Sequence, residues 1–150
     1  MIEVARQYCE LIESSGAGQG TWLRAVADLL PRLHAAVTSF DGHPFLGDEE
    51  LTPDLDARFE LYGHLRDLLG ERDAYWLEFD LLGDTHSMTG SLADDLTDIY
   101  CELKHGLRLV AEQPEQAVYS WTAGYERHWA RHLCDAQRHL SVLASDGRLD

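Results

Sequence analysis

Residues 91–104 read Ser-Leu-Ala-Asp-Asp-Leu-Thr-Asp-Ile-Tyr-Cys-Glu-Leu-Lys, and this stretch indicates the fold class of the chain. Ser91 is a favourable helix N-cap, because its hydroxyl can accept a bond from an amide that has no partner within the helix. Apolar residues then recur at steps of three or four, which predicts a helix with one buried face. These residues are Leu92, Leu96, Ile99, Leu103, Leu107 and Val110.

The opposite side of the same predicted helix is acidic. At about 100° per residue, Asp94, Asp95, Asp98 and Glu102 fall within an arc of roughly 100°. Carboxylates at this spacing can share a divalent cation, either directly or through its water shell. They also fit a solvated helix face near the positive end of the helix dipole, which explains Asp94 and Asp95 better than Glu102.

The same apolar rhythm elsewhere predicts an all-α bundle of about five helices. The predicted helices cover residues 2–13, about 21–40, 53–69, 91–110 and about 115–144, and the last two are long and antiparallel. Thr21 and Thr52 are the expected caps of the second and third helices. Residues 75–79 alternate in a way that also fits a short strand, but a lone strand would have no partner. In the third helix the predicted buried face is Leu55, Phe59, Tyr62, Leu65 and Leu69.

Length and composition narrow the class of protein. The 150 residues fit a single all-α domain, residues 1–150, with a flexible tail at 145–150. The net charge of −15, without clusters of Lys and Arg, excludes ordinary nucleic-acid binding and permits a cation or a basic protein partner. Three distant cysteines predict a reducing compartment, and no apolar run approaches a signal peptide or a membrane span. We therefore expect a soluble, cytoplasmic protein that does not bind a membrane.

The last predicted helix carries His128 and His132, four residues apart. At this spacing one helix can offer two imidazoles to one metal ion. Glu126 precedes the first histidine, so the motif is not His-Glu-x-x-His. Two alternatives remain: half-buried histidines that bond a carboxylate of a neighbouring helix, and a pH-sensitive or catalytic role.

Two stretches together resemble a known family. Residues 91–104 and residues 125–136, which read Tyr-Glu-Arg-His-Trp-Ala-Arg-His-Leu-Cys-Asp-Ala, are similar to the bacterial family catalogued as domain of unknown function 5063. Residues 5–13 and 22–33 look like its opening helices, so the resemblance spans most of the chain. It implies a small, soluble, all-helical bacterial protein and supplies no established activity.

Two functions fit these observations. In the first, a non-enzymatic or regulatory protein acts through its acidic surface on a protein partner. In the second, the chain holds a divalent metal, Zn, Mg or Mn, for a hydrolytic reaction, and no other cofactor is expected. The predicted metal-site residues are Asp94, Asp95, Asp98, Glu102, His128 and His132. The metal hypothesis requires that the acidic face and the histidine pair meet across neighbouring helices.

Overall fold

The structure is a computed structural model that describes residues 1–16, 19–40, 54–77 and 88–150. Within these residues the helices are α1 (Ile2–Glu13), α2 (Gln19–Thr38), α3 (Leu55–Leu69), α4 (Leu92–Leu109), α5 (Pro114–Gly124) and α6 (Ala130–Ser145). A π-helical segment, Tyr125–Trp129, joins α5 to α6, so that the three form one continuous helix of 32 residues. A short 3₁₀ turn, Gly70–Arg72, follows α3. The predicted all-α bundle of about five helices is confirmed.

Helix α4 is at the centre of the bundle, where it contacts α1, α3, α5 and α6. Its predicted apolar stripe is fully buried from Leu92 to Leu103 and only partly buried at Leu107 and Val110. Burying one such side chain contributes about 1.5–3 kcal/mol, so this stripe is a large part of the core. The continuous helix runs antiparallel to α4, because Gly106 lies against Trp121 and Glu102 lies against His128 farther along.

The start of α4 is fixed by two side chains. The Ser91 hydroxyl accepts a bond from the Asp94 amide at 3.2 Å, as expected of an N-cap. Asp73, which precedes the first strand, adds a second cap, because its carboxylate accepts from the Ala93 amide at 2.7 Å and from the Ser91 hydroxyl at 2.9 Å. The position of α4 is therefore tied to the end of the 3₁₀ turn.

A two-stranded antiparallel sheet lies beside this cap. Strand β1 (Ala74–Leu77) pairs with β2 (Met88–Ser91), and Tyr75 is opposite Gly90. The reason given against a strand at 75–79 was wrong, because β1 has a partner in β2, the segment directly before α4. A Cβ atom at Gly90 would lie 2.3 Å from the Tyr75 ring, so only glycine admits this close pairing. Residues 78–87 lie outside the described part.

Helix α3 differs from its predicted orientation. The expected cap at Thr52 lies outside the described residues, and the structure caps α3 with Asp54, whose carboxylate accepts from the Ala57 amide at 3.2 Å. Leu55 and Phe59 were expected to be buried but are 59% and 64% exposed. The helix instead turns Arg58 toward α4, where two carboxylates bond it, and buries its apolar residues only near its C-terminal end.

The second helix and the end of the chain also differ in detail. Helix α2 begins at Gln19 rather than Thr21 and continues through Pro31. The final residues, predicted to be a flexible tail, turn back at Gly147, where φ is 68°. Leu149 is only 5% exposed, and Asp150 pairs with Arg24 at 2.7 Å. The burial of Leu149 and the ion pair of Asp150 therefore hold the last residues of the chain against the fold.

The sequence also led to expectations about the state of the cysteines and about membrane-spanning segments. Cys9 is buried, Cys101 is intermediate and Cys134 is exposed, and all three are free thiols. Among the described residues, no helix has both the length and the apolar character needed to cross a lipid bilayer.

Candidate metal centre

The acidic face of α4 is covered by the protein. Asp95, Asp98 and Glu102 are 4%, 8% and 7% exposed, whereas 43% of the Asp94 side chain is exposed. A buried carboxylate is stable only when other groups bond it or balance its charge. Each of the three buried carboxylates accordingly has bonding partners on a neighbouring element.

The π-helical segment supplies the first of these partners. Its wider turn is shown by the Ala130 amide, which donates to the Tyr125 carbonyl five residues earlier. Such insertions occur often at functional sites, because they turn side chains away from the regular helical positions. His128 lies in this segment and His132 lies in the first turn of α6, and their rings meet edge to face with centroids 5.1 Å apart.

Each histidine is held by one carboxylate of α4 through the same ring nitrogen. His128 Nδ1 is 3.0 Å from Glu102 Oε1, and His132 Nδ1 is 2.8 Å from Asp95 Oδ1. An ionised carboxylate only accepts hydrogen bonds, so each Nδ1 is the donor. In a neutral imidazole the lone pair is then on Nε2, which is the arrangement found in histidines that bind metals.

Both Nε2 atoms lie within 4 Å of one oxygen of Asp98. His132 Nε2 is 3.3 Å from Asp98 Oδ2, and His128 Nε2 is 3.9 Å from the same oxygen. The three potential ligand atoms all lie within 4.8 Å of one another. Two imidazole nitrogens and one carboxylate oxygen therefore lie around one point between α4 and the continuous helix.

Arg58 of α3 holds the other oxygen of Asp98. Its Nε atom donates to Asp98 Oδ1 at 2.8 Å, and its Nη2 atom donates to Asp94 Oδ1 at 2.9 Å and forms an ion pair with Asp98 Oδ1 at 2.7 Å. Burial opposes the charge of this guanidinium, but the two carboxylates outweigh burial and raise the pKa of Arg58 above its ordinary value. Arg58 thus balances one negative charge and contacts Asp98 Oδ1, while Asp98 Oδ2 is the oxygen near the imidazoles.

The electrostatic environment at His132 favours a positive charge. Burial alone would lower the pKa of His132, but the hydrogen bond that it donates to Asp95 and the charge of Asp98 raise its pKa above the ordinary value. A carboxylate oxygen thus lies near each of its ring nitrogens. These contacts stabilise the protonated form of His132.

Two further residues contact the carboxylates that hold the histidines. The Tyr75 hydroxyl donates to Asp95 Oδ2 at 2.5 Å. Gly124 lies against Glu102, since a Cβ atom there would be 2.6 Å from Glu102 Oε2. Both contacts join segments that are distant in sequence.

The structure arranges the six predicted site residues in three roles. Asp98, His128 and His132 converge on one point, and Asp95 and Glu102 each bond one histidine. Asp94 bonds Arg58 instead. Sequence reasoning missed Arg58, Tyr75 and Gly124. In the sequence, Arg58 could be recognised only as a basic residue between two positions of α3 that were expected to be buried. Tyr75 could be recognised only by predicting that two short strands pair.

Comparison with known proteins supports the fold and assigns no activity. No curated protein matches the chain. The crystal structure of protein BF1032 from Bacteroides fragilis is similar, with a TM-score of 0.75 and 21% sequence identity, covering 93% of this chain and 87% of that one. At this identity the likeness concerns the fold alone. Residues 1–146 match the family described as a domain of unknown function (DUF5063), and the chain belongs to that family.

Proposed function

We propose that this protein binds one divalent metal ion through His128 Nε2, His132 Nε2 and Asp98 Oδ2. The observation that carries the proposal is that both histidines have the same ring nitrogen, Nε2, within 4 Å of the same carboxylate oxygen. A carboxylate fixes the other nitrogen of each ring. In carboxylate–histidine–metal arrangements a carboxylate orients each imidazole in this way. Here those carboxylates belong to Asp95 and Glu102, and both are buried.

The donor set favours zinc among the three metals considered from the sequence. Magnesium prefers oxygen donors, whereas two imidazoles and one carboxylate suit zinc. Bonds of about 2.0–2.2 Å in a tetrahedral site place ligand atoms about 3.3–3.6 Å apart. The separation of His132 Nε2 and Asp98 Oδ2 is 3.3 Å. His128 Nε2 has farther to move, and its side chain is 47% exposed, which gives it room to do so.

Three protein ligands leave a coordination position for water. Catalytic zinc sites have this composition, whereas structural zinc sites have four protein ligands. Zinc lowers the pKa of a bound water to about 7 and supplies a hydroxide at neutral pH. His128 is the most exposed of the three ligand residues, so solvent would reach the centre most easily beside it. Metal-assisted hydrolysis is therefore the reaction class that this arrangement fits best.

The partner hypothesis loses support at this face of α4. Three of its four carboxylates are buried and bonded within the chain, which leaves Asp94 as the most exposed of them. Asp94 itself pairs with Arg58. In the described part of the protein, Asp95, Asp98 and Glu102 thus form an internal network, and a partner-binding surface would need other acidic residues.

Zinc titration of the chelator-treated protein tests the proposal. We expect one zinc ion per chain by isothermal titration calorimetry and by elemental analysis. His128→Ala should weaken binding at least about 100-fold, because it removes one of three ligands from an exposed position where the fold tolerates truncation. His105→Ala is the matched control, since His105 lies on α4 one turn beyond Glu102 and outside the ligand cluster.

Replacement of zinc by cobalt gives an independent check on geometry. A tetrahedral cobalt complex absorbs strongly in the visible range, and Asp98→Asn and His132→Ala should each change that spectrum. Zinc binding that is absent in the wild-type protein, or unchanged in His128→Ala, would show that the cluster is only an ion-pair network. Binding of magnesium in preference to zinc would contradict the assignment of the metal.

A further inference from the structure

Tyr75 connects the small sheet to the candidate metal centre. Its hydroxyl donates to Asp95 Oδ2, while Asp95 Oδ1 accepts from His132 Nδ1. The contacts therefore run from Tyr75 through Asp95 and His132 to the point where the ligand atoms converge. Tyr75 belongs to β1, so this series of contacts starts outside the helices that carry the ligands.

Both oxygens of Asp95 are used, and each by a different partner. Tyr75 donates to Asp95 Oδ2, and a hydrogen bond to an ionised carboxylate is stronger than one between neutral groups. Burial and the adjacent carboxylate raise the pKa of Tyr75, so its hydroxyl stays protonated and remains a donor. Without this bond, Asp95 is free to rotate and to share both oxygens with His132.

The Tyr75 ring is itself held in place from several sides. It stacks on His139, with ring centroids 4.7 Å apart, and the Arg138 guanidinium lies 5.6 Å from its centroid. On another side the ring touches Gly90, where any Cβ atom would overlap it. His139 is fixed in turn, because its Nε2 bonds the Arg72 carbonyl at 2.7 Å. The direction of the hydroxyl is thus determined by packing.

We propose that Tyr75 is a positioning residue of the metal centre, which fixes Asp95 so that His132 presents Nε2 to the metal ion. This inference rests on the proposed metal site and adds a role for the sheet. The two-stranded sheet would then help to orient a metal ligand. Pairing β1 with β2 next to the N-terminus of α4 places one hydroxyl against a carboxylate of that helix.

Tyr75→Phe tests the role of the hydroxyl, because it removes the oxygen and keeps the ring. We expect zinc affinity to fall about tenfold, toward the lower end of the effect of residues that orient metal ligands. The visible spectrum of the cobalt form should change as well, since the direction of His132 changes. A residue that only supports the fold would lower the unfolding free energy without altering that spectrum.

Tyr100→Phe is the matched control. The Tyr100 hydroxyl also donates to a carboxylate, that of Glu13 at 2.8 Å, but on a side of α4 away from the ligands. We expect its zinc affinity and cobalt spectrum to equal those of the wild type. Gly90→Ala provides a second route, because its methyl group displaces the Tyr75 ring while leaving the hydroxyl present, and it should also weaken zinc binding.

The outcomes separate the two proposals. If the wild type binds one zinc ion and Tyr75→Phe binds it with equal affinity and an unchanged cobalt spectrum, the role of Tyr75 is refuted and the metal site stands. If the wild type binds no zinc, the metal site itself is refuted and Tyr75 has nothing to position. A loss of affinity in Tyr75→Phe that Tyr100→Phe matches would likewise refute a specific role for Tyr75.

Discussion

Gly124 and Glu102 are in such close contact that no side chain fits between them. A Cβ atom built on Gly124 lies 2.6 Å from Glu102 Oε2, and the other oxygen of Glu102 is the one that bonds His128 Nδ1. The absence of a side chain at the end of α5 therefore decides where a carboxylate of α4 can lie. The same carboxylate determines how His128 is presented.

Gly124→Ala should accordingly weaken metal binding more than it weakens the fold. The new methyl group pushes Glu102 away from His128, and we expect about a tenfold loss of zinc affinity. Alanine is also the better helix former by about 1 kcal/mol, which offsets part of the steric cost in stability. Calorimetric titration and urea unfolding of the metal-free protein measure the two effects. Zinc affinity equal to that of the wild type would contradict this role of Gly124.

Gly106→Ala should destabilise the protein. Its Cβ atom would lie 2.1 Å from Nε1 of Trp121, which is fully buried and donates to the Leu103 carbonyl at 3.2 Å. Overpacking of this kind costs about 1–3 kcal/mol. Gly63→Ala is the control, because nothing lies within 4 Å of its Cβ position inside α3. We expect Gly63→Ala to raise the free energy of unfolding, measured in urea, by about 0.5–1 kcal/mol. An equal effect of the two variants would contradict the close contact between Gly106 and Trp121.

Asp73→Ala should remove the second cap of α4. The variant leaves the Ala93 amide and the Ser91 hydroxyl without their acceptor, and loss of a cap costs about 1–2 kcal/mol. Because Ser91 donates to Asp73, the effects of Asp73→Ala and Ser91→Ala should not add. A double-mutant cycle measured by urea unfolding gives their coupling, and full additivity would argue against a shared cap.

Glu13 should make a small contribution to stability that depends on pH. The bond from Lys104, and then that from Tyr100, lower the pKa of Glu13 below its ordinary 4.5. A carboxyl whose pKa is lowered on folding stabilises the native state above its unfolded pKa, and this stabilisation is lost as the pH falls through the native value. Both partners of the Lys104 pair are more than one-third exposed, so the contribution is below about 1 kcal/mol.

Comparison of Glu13→Gln with the wild type measures this contribution. The difference in unfolding free energy should be largest near pH 7 and should disappear as the solution is acidified below the native pKa of Glu13. A chelator keeps metal binding out of both measurements. A difference that stays constant from neutral to acidic pH would show that packing of the side chain, rather than its charge, is responsible.

The sequence predicted the helices and the residues that share a face, because helical periodicity is a local property. The apolar stripe of α4, its acidic side and the spacing of His128 and His132 all follow from 3.6 residues per turn. The same reasoning placed Leu55 and Phe59 in the core and was wrong, since periodicity does not show how much of a helix its neighbours cover. Arg58 occupies the side that α3 turns toward α4.

Only the tertiary structure decided that the acidic face is internal. Whether a carboxylate is solvated or buried depends on the element that covers it, and here that element lies more than twenty residues away in the chain. The π-helical turn, the close contact at Gly124 and the pairing that brings Tyr75 to Asp95 likewise depend on contacts between distant segments. The sequence by itself determined an acidic helix and a histidine pair; antiparallel packing brought one carboxylate and both imidazoles to a single point.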